Sequence, residues 1–225
     1  MTGTALLLFA LAMVAAAADW IAVDQGTAME AVEGGRRSAG NQLVEYVAKP
    51  LTLVLLVAAA LAIDPAETDV RMWFVAALVL SLIGDVFLMA PQDLFVPGLA
   101  SFLLGHVAYI VGFVVAGMDP SRFGIGLVLV ALAITVIGLR VLQAVRAGDE
   151  PELQTPVLAY MLVISAMVAC AIGTGNPVAV LGAVLFYASD SLIAWNRFVG
   201  PTRRGRLAVI TTYHLAQGAL VLSLL

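Results

Sequence analysis

The chain has 225 residues, 62% of them hydrophobic and only 12% charged, with a net charge of −4 and a mean hydropathy of +1.04. A soluble domain is near half apolar and a quarter charged, so this composition excludes one and belongs in lipid. No basic tract offers a nucleic-acid surface, and a single cysteine, Cys170 in an apolar run, excludes both a disulfide framework and a thiolate metal cluster.

A spanning helix needs about 20 predominantly apolar residues. Eight segments meet that test, giving an all-α, polytopic membrane protein: eight transmembrane helices in one bundle, a single domain over residues 1–225. The first is Ala5–Val23. Its early part, closing on Ala16-Ala17-Ala18, has the alternative reading of a signal peptide, against which stands the missing basic n-region. The connection Asp24–Glu45 carries Gly34-Gly35-Arg36-Arg37 and reads as irregular chain or a short surface helix. In the second segment, Tyr46–Ile63, Lys49 sits at the mouth and Pro50 suits a first helical turn. Lys49 either snorkels to head groups or holds a phosphate.

The third segment, Val70–Met89, sets Asp85 deep in an apolar run, with Ser81 one turn back and Gly84 allowing close helix approach. The fourth, Leu94–Gly117, carries His106 beside a small and polar stripe of Ser101, Gly105 and Tyr109; its glycines at 98, 105 and 112 read as a helix-packing face. The fifth and sixth, Phe123–Leu142 and Glu152–Ile172, are apolar, and Cys170 reads as a buried thiol. The seventh, Pro177–Val199, holds Asp190 with Phe186, Tyr187 and Ala194 on its face and Arg197 two turns on. The eighth, Gly205–Leu225, brings Tyr213, His214 and Gln217, the first and last one turn apart. Trp20, Trp73 and Trp195 read as interfacial anchors.

Nine Lys and Arg residues lie by the odd-numbered connections (Arg36, Arg37, Lys49, Arg140, Arg146, Arg197, Arg203, Arg204, Arg206) and two, Arg71 and Arg122, by the even ones. That asymmetry puts the odd connections in the cytoplasm of a bacterial-type inner (plasma) membrane and both termini outside. Asp85, Lys49 and Asp190 then fall in the cytoplasmic half. The pairs Pro50 and Pro156, Asp85 and Asp190, and His106 and His214 lie at offsets of 106, 105 and 108 residues. This weak repeat suggests two four-helix halves with a site between them.

An ionised Asp in hydrocarbon costs about 2.5–3.5 kcal/mol or more, so two in the same leaflet half make a functional candidate. The plainer alternative makes each a hydrogen-bonded tie between helices, or pairs Asp190 with Arg197. His106 and His214 divide evenly between packing and function. Two His and two Asp are also a formal zinc set, but no HExxH or close His pair supports one, so neither metal nor cofactor is expected. As chemistry, the Asp pair suits either an acid and base or a proton relay in a proton-coupled transporter or lipid flippase.

The segments Ser81–Met89, Gly98–Tyr109, Gly182–Asp190 and Tyr213–Gln217, together with Tyr46-Val47-Ala48-Lys49-Pro50-Leu51, resemble the YhhN family, the lysoplasmalogenases. The resemblance covers most of the chain in order and weakens over the first 45 residues. It implies an eight-span membrane hydrolase that takes a lysophospholipid from the bilayer. Such an enzyme cleaves the vinyl ether of lysoplasmalogens to a fatty aldehyde and a glycerophospho-alcohol. It also implies Asp85 and Asp190 as catalytic carboxylates. The substrate-binding residues expected with them are Lys49, Ser81, His106, Tyr109, Tyr187, Tyr213, His214 and Gln217. The residues fit the chemistry, because a vinyl ether hydrolyses through carbon protonation by an acid and water attack assisted by a carboxylate, as in glycoside hydrolysis. On this reading Asp85 and Asp190 meet across one polar hollow.

Overall fold

Apolar runs long enough to cross a bilayer must satisfy their backbone groups internally, and helices are the local solution. The computed structural model describes residues 1–33, 38–64 and 68–225, and among these the regular structure is entirely helical. Eight helices follow in order: α1 Gly3–Glu33, α2 Ala39–Ala62, α3 Thr68–Met89, α4 Phe95–Ala116, α5 Pro120–Ala147, α6 Pro151–Thr174, α7 Pro177–Val199 and α8 Gly205–Leu222. Seven of them are long and apolar enough to span a membrane. In α8 the polar residues lower the hydropathy, and Tyr213, His214 and Gln217 are turned into the bundle. Large apolar side chains such as Leu7, Val14, Val128 and Leu132 face outward. In water such a surface would drive association; in lipid it is the solvated face. The chain is an integral membrane protein.

Polar caps mark several helix starts. Ser38 Oγ accepts from Asn41 N at the head of α2, and Asp119 Oδ1 accepts from Arg122 N at the head of α5. Asn176 Oδ1 accepts from Val178 N and Ala179 N at the head of α7, with Pro177 in the first helical position.

Two expectations need correction. The long first connection is mostly helix, because α1 runs on to Glu33 and α2 begins at Ala39, drawn out by helix-forming Ala, Gln, Glu and Leu residues. Pro50 therefore lies inside α2 rather than at its opening. Such a proline is tolerated in a spanning helix where neighbouring helices compensate. Gly34-Gly35-Arg36-Arg37, and with it two cations of the orientation count, lies outside the described residues.

Sequence neighbours pack as antiparallel pairs: α1 on α2, α3 on α4, α5 on α6, α7 on α8. The predicted glycine face is real. A Cβ on Gly84 would stand 2.6 Å from the Phe102 ring, and one on Gly112 would stand 2.8 Å from Phe74. α8 is the hub, touching α1, α2, α3 and α7. Both α5 and α7 contain a π-helical turn, over Ile134–Gly138 and Trp195–Val199, a local widening often found at functional sites.

The α3–α4 contact gives a direct test. Gly84→Val should destabilise the protein in detergent by about 1–3 kcal/mol, as overpacking does. Gly124→Ala, where a Cβ meets nothing within 4 Å, should leave the melting temperature unchanged or raise it. Equal melting temperatures for both variants would refute the tight α3–α4 seam.

Candidate active site

The first cluster forms where α2, α3 and α8 meet. Lys49 Nζ lies 2.9 Å from Asp85 Oδ1, and Tyr213 donates its hydroxyl to Asp85 Oδ2 at 2.7 Å. Asp85 is 1% exposed, while Lys49, at 15%, reaches the edge of a polar pocket. A buried carboxylate with both oxygens engaged by an ammonium and a phenol is a satisfied anion. Beside it, Trp20 Nε1 donates to His214 Nδ1 at 3.1 Å. An indole can only donate, so His214 is neutral with its hydrogen on Nε2.

The second cluster joins α4, α6 and α7. Tyr160 donates to Asp190 Oδ2 at 2.5 Å, and His106 Nε2 lies 3.5 Å from the same oxygen. His106 Nδ1 stands 2.5 Å from Phe102 O, and a carbonyl can only accept, so Nδ1 carries a hydrogen. A neutral His106 would then aim the Nε2 lone pair at a carboxylate oxygen. Nε2 makes no hydrogen bond of its own at that distance, and a proton placed between the two side chains would join them.

Phe102 and Phe186 connect the clusters. Phe186 packs edge-on against both His106 and Tyr213, at 4.6 and 5.4 Å between ring centroids, and Phe102 lies 5.9 Å from Tyr213. Asp85 and Asp190 are within electrostatic range of each other. Each is met by the preceding helix of its own half (Lys49 on α2, Tyr160 on α6). Each is also met by the last helix of the other half (Tyr213 on α8, His106 on α4). That interchange is the pattern two related four-helix halves would produce.

Two pockets adjoin these clusters. One is almost wholly apolar and narrow, with about 60 Å³ of open space. Tyr160, Tyr187, Asp190 and Ser191 are the polar points of its wall, and both π turns contribute to it, through Ile137 and Gly138 and through Phe198. The other is the more polar of the two, with Glu45, Lys49, Asn196, Arg197 and Arg206 in its wall. Leu88, Phe95 and Ile193 line both, so the pockets share a wall. Asp85 lines neither, shielded behind Lys49 and Tyr213; the single hollow faced by both carboxylates is instead a divided one.

At the pocket mouths, Arg197 stacks over Phe95 at 4.0 Å and binds Asp93 and Glu150. It does not pair with Asp190. Asp93, in the α3–α4 connection, is held below the usual carboxylate range by its hydrogen bond from Arg197.

The remaining expected residues divide. Tyr109 donates to Gln217 Oε1 at 2.6 Å, a buried tie between α4 and α8. Ser81 packs under Gly105 and lines neither pocket. Trp20 is no interfacial anchor, since its indole points inward to His214. Sequence reasoning passed over Tyr160 and Asp19. Asp19 is wholly buried on α1. The signal for it was present, an acidic residue inside a predicted span. Tyr160 had none beyond a polar aromatic in an apolar helix.

A model of the YhhN family matches residues 44–224. Human lysoplasmalogenase TMEM86B is 37% identical over 149 residues, covering 66% of this chain and 62% of that protein. The lysoplasmalogenase of Mycobacterium bovis is 36% identical over 171 residues, covering 73% and 64%. Human lysoplasmalogenase TMEM86A is 32% identical over 157 residues, covering 65% and 62%. The chain thus matches somewhat under two thirds of the length of these relatives. No solved structure matches it.

Proposed function

The chain belongs to the YhhN family, and from that premise we propose that it is a membrane hydrolase cleaving the vinyl ether bond of a lysoplasmalogen to a fatty aldehyde and a glycerophospho-alcohol. The names of its relatives support the substrate class. The observation that carries the reading is the placement of Asp190 and Tyr160 at an apolar pocket that shares a wall with a polar one, with His106 buried behind Asp190. An alkenyl chain suits the first pocket and a phosphate-bearing head the second, leaving the vinyl ether near their common wall.

The two carboxylates then take different parts. The proton held between His106 and Asp190 goes to the distal alkene carbon, and the alkene π electrons form the new C–H bond. The ether oxygen shares its lone pair, giving an oxocarbenium ion. Asp190, left as the carboxylate, removes a proton from the water that adds to this cation, and the resulting hemiacetal breaks its C–O bond to yield aldehyde and alcohol. Tyr160 holds Asp190 in place. Asp85 is the fixed anion of the site, its field favouring the cation while Lys49 and Tyr213 hold it. Lys49, from its place on the polar pocket, pairs with the phosphate. We propose also that the odd-numbered connections are cytoplasmic and both termini outside, as the distribution of Arg and Lys supports.

Purified protein in detergent should release aldehyde from an alkenyl lysophospholipid without any gradient, and leave ester and alkyl ether analogues intact. Asp190→Asn should lower turnover about 100-fold or more, the usual contribution of a general acid. Undiminished turnover in that variant, or activity that requires sealed vesicles, would refute the mechanism. For orientation, in a Cys170→Ala background, an impermeant thiol reagent added outside cells should label Asp119→Cys and not Thr202→Cys. The opposite pattern would invert the topology.

A further inference from the structure

The family match begins at residue 44, so α1 lies ahead of it. Yet α1 packs against α2 and α8 and turns one stripe inward: Ala5, Ala12, Ala16, Asp19 and Val23 are buried at helical spacing. The last turns of that stripe converge on the Lys49 cluster. Asp19 is 0% exposed and within electrostatic range of Lys49. Trp20, the next residue, donates to His214, and Val23 lines the polar pocket alongside Lys49. A carboxylate at that depth requires a cation nearby. Lys49 is the only lysine in the chain, every other basic side chain of this class being arginine. A compact ammonium with three donors can serve two carboxylates on different helices, where the planar guanidinium fork favours one.

We propose that Asp19 is a second carboxylate for Lys49, so that the first helix supplies a positioning residue to the site. Asp19 on α1 and Asp85 on α3 hold the ammonium from two helices and fix where it meets the polar pocket. Trp20 meanwhile sets the ring of His214 beside it. The consequence for substrate use rests on the hydrolase reading; the arrangement of Lys49 does not.

The lone lysine makes the test specific. Among amines, acetic anhydride at mildly alkaline pH can modify only Lys49 and the N-terminal amine, and peptide mass spectrometry separates the two from each other and from acetylated phenols or the thiol. Losing a carboxylate partner should ease release of the ammonium proton, so Asp19→Asn should acetylate Lys49 about tenfold faster than the unaltered chain. Asp85→Asn should do the same, while Asp19→Glu stays near the original rate. Acceleration in Asp85→Asn alone would overturn the proposal. Thermal stability of Asp19→Asn, Lys49→Met and the double variant gives a second measurement that holds even where a single variant folds poorly. The double variant should be no less stable than the weaker single one, and additive losses would overturn the pairing. In the aldehyde assay Asp19→Asn should raise KM about tenfold with kcat within about twofold, the pattern of a misplaced phosphate partner; an unchanged KM would overturn the positioning role. No aldehyde from the unaltered chain would refute the hydrolase reading and leave both Lys49 measurements standing.

Discussion

The ion pair of Lys49 and Asp85 is the contact that explains why the bundle closes as it does. Two charges brought out of water each cost several kcal/mol, and only close geometry with further hydrogen bonds offsets that. Here the pair sits 2.9 Å apart, and Tyr213 occupies the second carboxylate oxygen. Satisfying one buried anion therefore draws α2, α3 and α8 to one point. The close α3–α4 seam at Gly84 and Gly112 fixes the height of Asp85, and the inward polar face of α8 supplies the phenol.

Around that fixed charge the second carboxylate is left with a different environment. Asp190 is 11% exposed and faces an apolar pocket, held by the Tyr160 phenol with the His106 imidazole 3.5 Å away. One carboxylate locked by an ammonium and one set beside a phenol and a histidine is an asymmetry suited to acid and base work, where two groups of one chemical kind must do different jobs. The membrane setting contributes as well. On the proposed reading the apolar pocket would take the part of a lipid that already lies in the bilayer, and the polar pocket, with its cations and carboxylate, the charged head.

Much of this was legible in the chain. An Asp inside an apolar run is costly enough to announce itself, which is why Asp85 and Asp190 stood out, and the seven-residue glycine spacing in α4 gave the packing face. The eight helices followed from length and hydropathy. What the sequence concealed were pairings across long separations. Tyr213 and Asp85 are 128 residues apart, and Trp20 and His214 are 194 apart. No periodicity within one helix shows which neighbour its polar face will meet. For the same reason Tyr160 was passed over, and Asp85 was assigned to a hollow from which Lys49 and Tyr213 shut it out. Pro50 misled differently: a local rule for helix starts gave way to the strong helix formers on its N-terminal side.

The central chemical claim is that a protein carboxyl group delivers a proton to carbon. It is tested most directly by running the reaction in heavy water and reducing the aldehyde to its alcohol as it forms, before exchange with solvent. Carbon protonation places one deuterium on the carbon next to the former carbonyl. An alcohol free of deuterium at that carbon would mean that the ether is broken by another route, and Asp190 would lose its assigned part.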